Sequence, residues 1–215
     1  MLRACAGLQV TAVYIAPGLI GMIQLFQGMS SSLSMVYDRE MGSMRTLMVS
    51  PLPRWFLLVS KLLATVIVSV MQAYVFLAIA YFWEIEPPLL GYLTALPALI
   101  LSGMMLAAVG LLLSSAIRQL ENFAGVMNFV IFPMFFASSA LYPLWRVKDA
   151  NLALYYICWA NPFTHAIELV RFALYEQFDL QSAAAVVIAL VVFMTLAIYG
   201  YDPARGLIAR RAGAE

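Results

Sequence analysis

The sequence predicts an all-α, polytopic membrane helix bundle with five spans. Three observations carry that prediction. Hydrophobic residues make up 64% of the 215-residue chain and charged residues 11%, where a soluble domain carries about 25% charged. Mean hydropathy is +0.92. The apolar runs are about twenty residues long, not the ten-residue alternating segments of a barrel, so helices are the spanning form. The length fits one membrane domain and leaves no room for a soluble enzyme. A net charge of +1 says little; the placement of the charges says more.

The first span is expected over about residues 10–36, with Pro17, Gly18, Gly21 and Gly28 inside it. Membrane helices tolerate such residues, because neighbours satisfy freed backbone groups and small residues allow close approach. Gln24, Gln27, Ser30, Ser31, Ser32 and Ser34 make its second half polar, so that half should face protein or water, not lipid. A long polar break over residues 37–61 follows, holding Arg39, Arg45, Arg54 and Lys61. The second span, 55–83, closes on Tyr81, Phe82 and Trp83, an aromatic end suited to the headgroup belt. Pro87 and Pro88 force a tight turn. The third span, 89–117, carries the small-residue stripe Gly103, Ala107, Gly110. Arg118, Gln119, Leu120 and Glu121 make a short polar turn before the fourth span, 122–142, which contains Pro133.

Residues 146–180 differ. Their two apolar pieces, 152–160 and 162–175, are too short to span and suit re-entrant or interfacial helices. Asn161-Pro162 is a ready helix start, with Asn as N-cap and Pro at the first helical position. The fifth span, 183–201, precedes Arg205, Arg210 and Arg211. Cys5 and Cys158 match no metal or redox spacing and are read as unlinked thiols in preference to a disulfide.

Five spans send alternate connectors to opposite sides. The 37–61 break, the Arg118 turn and the tail share one side and hold eight of the twelve Lys and Arg residues; Arg3, Arg146, Lys148 and Arg171 fall on the other. The positive-inside rule makes the first side cytoplasmic. The N-terminus then lies outside without a cleavable signal, so one further upstream span, six in all, is expected.

Several short motifs now line up. Asp38-Arg39-Glu40, Gly42, Arg45, Leu47, then Ser50-Pro51-Leu52-Pro53-Arg54 and Lys61 resemble the cytoplasmic loop after the second span of type-2 ABC exporter permeases. Ser138 and Ser139 through Tyr142-Pro143, then Asn161-Pro162-Phe163 and the pair Glu168, Arg171, resemble that family's fifth-span end and outer re-entrant helices. The resemblance covers essentially the whole chain in order, apart from the first span. It implies a non-catalytic permease of the bacterial inner membrane, embedded in the lipid bilayer. A second permease copy (a homodimer) and two cytosolic ABC ATPase subunits would be its partners, with ATP bound by those subunits and no cofactor in this chain. It also implies export of a hydrophobic or amphipathic cargo.

The loop residues fit this independently. Met41, Met44, Leu47 and Met48 recur at helical spacing as an apolar stripe, and Met is an adaptable contact residue. Ser50-Pro51 ends that helix. Asp38 and Glu40, read near its start, would favour its dipole. By composition alone, a helix lying on lipid explains the stripe as well as docking on a partner; the resemblance favours docking, with residues 37–54 as the coupling loop. Glu168 and Arg171 can pair at i, i+3, as a structural ion pair or as part of an outer gate over residues 146–180. His165 is the only histidine and reads as a satisfied interfacial side chain, not a ligand. Gln24, Gln27, Gln72, Asn122 and Asn128 fit interhelical hydrogen bonds or cargo contacts.

No phosphate-binding G-x-x-x-x-G-K-[ST] loop occurs, so the chain is not itself the ATPase. No catalytic triad pattern or metal motif occurs, and nothing points to nucleic acid. An ion- or proton-coupled secondary transporter or channel would need coupling charges or a repeat within the spans. A membrane-embedded enzyme would need a nucleophile, base or metal-ligand set.

Overall fold

Residues 89–116 carry apolar side chains around the whole circumference, so no polar face is left for water and the segment is driven to the centre of the bundle. The computed structural model describes residues 2–41, 54–82, 88–117 and 119–200. They form eight helices: α1 Leu2–Glu40, α2 Arg54–Tyr81, α3 Leu89–Ala116, α4 Leu120–Phe136, α5 Leu144–Ala150, α6 Leu152–Ala160, α7 Pro162–Leu174 and α8 Leu180–Gly200. No strand occurs among the described residues. The central helix α3 packs against α1, α2, α7 and α8, burying Ala95, Leu99, Met105, Leu106, Ala108 and Leu111. The small-residue stripe explains how closely it does so. A Cβ on Gly28 would lie 3.0 Å from the Ala107 Cα, and one on Gly110 would lie 2.7 Å from the Gly28 carbonyl oxygen. The α1 and α3 backbones therefore touch at positions where only glycine fits.

Among the described residues, four helices contain a stretch long and apolar enough to cross a membrane: Tyr14–Asp38 in α1, Phe56–Tyr81 in α2, Leu90–Ala116 in α3, and α8 itself. The stretch read as a fourth span over 122–142 is helical only to Phe136. At 17 residues it is roughly 25 Å long, less than the hydrocarbon core of about 30 Å. Its end has a local cause. The Ser138 hydroxyl donates to the Phe135 carbonyl and accepts from the Ala140 N–H, and Pro143 keeps residue 142 out of the α region.

Cross-helix bonds fix the direction of each element. Ser31 Oγ bonds Thr65 Oγ1, and Gln72 Nε2 donates to Gln27 Oε1, so α2 runs antiparallel to α1. Gln24 meets Leu99 and Ser102 while Gly28 meets Ala107, so α3 runs parallel to α1. One end of the bundle thus gathers Asp38, Arg54, Ile117, Leu120 and Gly200. The other gathers Tyr14, the 137–142 turn, α5, α6, α7 and Leu180.

Candidate functional site

At the Asp38 end, α1 does not stop where its apolar run stops. Nothing in residues 37–40 breaks a helix, so α1 continues to Glu40, and Met41 N–H donates to the Tyr37 carbonyl at 3.0 Å. Asp38, Arg39 and Glu40 therefore form the last turn of a long helix, not the start of a new one, which corrects the dipole reading. At a C-terminus the macrodipole opposes acidic side chains. Glu40 finds a better helix end: its Oε2 accepts from Leu120 N–H at 3.4 Å, at the N-terminus of α4. Met41 is exposed, and Arg54 opens α2. Gly42, Met44, Arg45, Leu47, Met48 and Pro51 lie outside the described residues.

The Tyr14 end is a cap built on one backbone atom. The Ser139 carbonyl accepts from Tyr14 OH of α1 at 3.1 Å and from Arg171 Nη2 of α7 at 2.9 Å. The Arg171 guanidinium also lies 3.9 Å from the centroid of the Tyr14 ring, a cation–π contact. Gly18 backs onto the same turn, and its Cβ would sit 2.6 Å from the Ala140 carbonyl oxygen. Among the described residues no ion pair joins Glu168 to Arg171; the guanidinium is turned to Ser139 and Tyr14 instead. Burial pushes the Glu168 carboxyl above the usual carboxylate range, opposed by the Arg171 charge.

Asn161 caps α7 as its sequence predicts, accepting from Phe163 N–H at 3.0 Å with Pro162 following. It does more than that. Its Nδ2 donates to the Met134 and Ala137 carbonyls at 2.8 and 2.7 Å, tying α7 to the last turn of α4. Asn151 caps α6 in the same way. That cap divides residues 144–160 into two helices and accounts for α5, an element the sequence pattern does not separate. Pro143 is the residue before α5, and Tyr142 is exposed beside it. His165 bonds the Trp159 carbonyl at 2.9 Å and meets the Trp159 ring edge-on, holding α6 to α7. Among the described residues no cluster of three His, Cys, Asp or Glu could hold a metal ion. Cys158 is buried and free.

Inside the bundle, Gln24 is almost fully buried. Its Nε2 donates to the Leu99 carbonyl and its Oε1 accepts from Ser102 Oγ, both at 2.8 Å. This is an interhelical staple of the kind small polar residues supply in membranes. Nothing in the sequence singles out Tyr14 or Ser102, and Ser139 stands there only as part of a motif, since each acts through a partner distant in the chain.

Long apolar helices with a cap of short helices at one end are an architecture that comparison with known proteins can test. The ABC-2 type transporter family matches residues 4–175. The chain belongs to that family. Among its relatives, the Escherichia coli "Probable multidrug ABC transporter permease YbhR" is 32% identical over 161 residues, covering 74% of this chain and 42% of that protein. The Cyanophora paradoxa "Putative transport permease ycf38" is 27% identical over 161 residues, 74% of this chain and 54% of that protein. The ABC-2 chain thus spans about half the length of the curated relatives it matches. No solved structure matches it.

Proposed function

We propose that this chain is the transmembrane subunit of an ATP-driven exporter of hydrophobic or amphipathic cargo. It works beside a second permease copy in a bacterial inner membrane, and separate cytosolic ATPase subunits supply the energy. The observation that carries this reading is the family match over residues 4–175; the permease names of the relatives agree with it. Hydrophobic cargo rests on the resemblance and on the multidrug wording of one relative's name.

In this reading the 37–54 loop is cytoplasmic and docks on the ATPase through Met44, Leu47 and Met48, with Arg39 and Arg45 beside them. ATP-driven closure of the partners moves the loop, and with it the ends of α1 and α2. The continuous helix α1 carries that motion to Tyr14 and Gly18, which touch the opposite cap. Inward and outward states then differ in how the cap meets α1, and differential contacts in those two states supply the driving free energy.

Purified permease with its ATPase, reconstituted in liposomes, tests the proposal. Transport should require ATP, and Met44→Asp or Leu47→Asp should abolish it while membrane insertion stays intact. Undiminished transport in both variants would sink the docking role. Cysteines placed by Ser43→Cys and Ser50→Cys should react with impermeant thiol reagents from the cytoplasmic side. Labelling solely from the opposite side would reverse the topology.

A further inference from the structure

Along the bundle, α1 and α2 alone form a groove of about 620 Å³. Its walls are apolar: Met22 and Phe26 on α1, Val75 and Phe76 on α2. Ser30 closes the α1 wall, and one pair of amides interrupts the lining, Gln27 and Gln72, whose single bond spans 3.3 Å between Gln72 Nε2 and Gln27 Oε1. That bond spends one of the four amide N–H groups that two glutamines carry. Gln27 stands thirteen residues from Tyr14 and eleven from Asp38 in its span, and Gln72 is near the middle of the Phe56–Tyr81 span. Both amides therefore sit close to the membrane midplane, and Gln72 is exposed there. Hydrocarbon offers them no hydrogen bond, so an amide left unpaired in it is costly. A groove of this kind calls for an occupant that hydrogen-bonds.

Its dimensions select the class of occupant. The lining runs from Leu19 to Ser30 on α1, roughly 17 Å at the helical rise, and a shorter way on α2. A spanning helix needs about 30 Å and would leave nearly half its length unsupported. A small molecule fits, since drug-sized ligands occupy about 300–1,000 Å³ with apolar walls and few polar groups. The polar pair lies toward the midplane and the apolar reach extends toward the Tyr14 end, the reverse of a lipid that keeps its headgroup at the surface. We propose that the α1–α2 groove binds an apolar small molecule carrying one carbonyl, hydroxyl or amide, with Gln27 and Gln72 as the recognising amides. The proposal deepens the exporter reading by naming a site of cargo contact, and depends on that reading for the transport step after binding.

The test is photolabelling of the full chain in nanodiscs without ATPase, using an N-alkyl benzophenone carboxamide and its hydrocarbon analogue lacking the amide. The carboxamide should label residues of the groove, Phe26 and Phe76 among them, at about tenfold lower concentration than the analogue. In Gln27→Leu/Gln72→Leu that preference should vanish while labelling by the analogue persists, which also shows that the variant is folded. Gln27→Asn/Gln72→Asn, which keeps both amides, should retain a preference. Labelling spread over Ile67 and Ile188, or a preference that survives loss of both amides, overturns the proposal. So does efficient disulfide crosslinking of two copies through Phe76→Cys, which would give the groove to a second chain. Groove labelling by a permease that shows no ATP-dependent transport would sink the exporter reading and leave the site standing.

Discussion

The Arg171 guanidinium rests 3.9 Å above the Tyr14 ring, joining a residue of α7 to one of α1 that lies more than 150 positions away in the chain. Both donate to the same Ser139 carbonyl. The interaction at the Tyr14 end is therefore a three-way tie and not a pair of independent bonds. Tyr14→Phe keeps the ring and the cation–π contact but removes one donor, and should cost about 1 kcal/mol. Arg171→Met removes a charged donor and the cation together, and should cost roughly 2–3 kcal/mol. Because they share an acceptor, the double variant should fall short of the sum by at least about 0.5 kcal/mol. Thermal unfolding in detergent across the four proteins reads this directly; strict additivity would show that the tie is not cooperative.

Asn161 has two separable tasks, and substitutions divide them. Asn161→Ala loses the cap of α7, about 1 kcal/mol, and also the donor that satisfies the Met134 and Ala137 carbonyls. Asn161→Ser should recover the cap alone. Asn161→Asp keeps an acceptor for Phe163 N–H but turns an oxygen toward two carbonyl oxygens, so it should be as damaging as Ala despite its good capping rank. Hydrogen exchange at residues 134–142 locates the loss. Wild-type protection in Asn161→Asp would mean that the link to α4 is inconsequential.

Two glycines with opposite surroundings give a matched comparison. A Cβ at Gly110 would meet Ser32 Oγ at 2.5 Å and the Gly28 carbonyl oxygen at 2.7 Å, whereas one at Gly125 meets nothing within 4 Å. Gly110→Val should force α1 and α3 apart and cost about 1–3 kcal/mol. Gly125→Ala should be neutral or stabilise by up to about 1 kcal/mol through helix propensity. Unfolding midpoints test both, and a marked loss at Gly125→Ala would show that another surface covers that face of α4.

What could be read from the sequence was whatever depends on local chemistry. Long apolar runs announce α1, α2, α3 and α8, and Asn161-Pro162 announces the start of α7, because caps act within three residues. The glycine stripe of α3 shows that something approaches closely, but not that Gly28 is the partner. The short helices of the cap were legible, but the tie that holds them to α1 was not. Its organising atom is a backbone carbonyl, which no side-chain pattern marks, and Tyr14 looks like one more aromatic at a span end. The adjacent charges Glu168 and Arg171 invited an ion pair, yet a carbonyl and an aromatic face compete for the guanidinium and win. Asp38 and Glu40 misled for the opposite reason: helix continuation depends on the absence of a breaker, and acidic residues only bias an end, by about 0.3–1 kcal/mol each.

Glu40 gives the last prediction, because its structural and functional roles separate by magnitude. Its bond to Leu120 N–H is long, at 3.4 Å, and exposed, so losing it should cost the fold under about 1 kcal/mol. Under the proposed function, however, Glu40 touches α4 just beyond the spanning part of α1, next to the loop that receives the ATPase. A push on that loop then reaches α1 and α4 together only while the carboxylate holds the α4 N-terminus. Glu40→Gln should weaken that hold modestly, and Glu40→Lys should reverse it by placing a cation against the positive end of a helix dipole. The expected outcome is an unfolding midpoint near wild type for both, with ATP-dependent transport reduced several-fold in Glu40→Lys and less in Glu40→Gln. Transport equal to wild type in Glu40→Lys would show that α4 takes no part in transmission, leaving α1 and α2 as the moving elements.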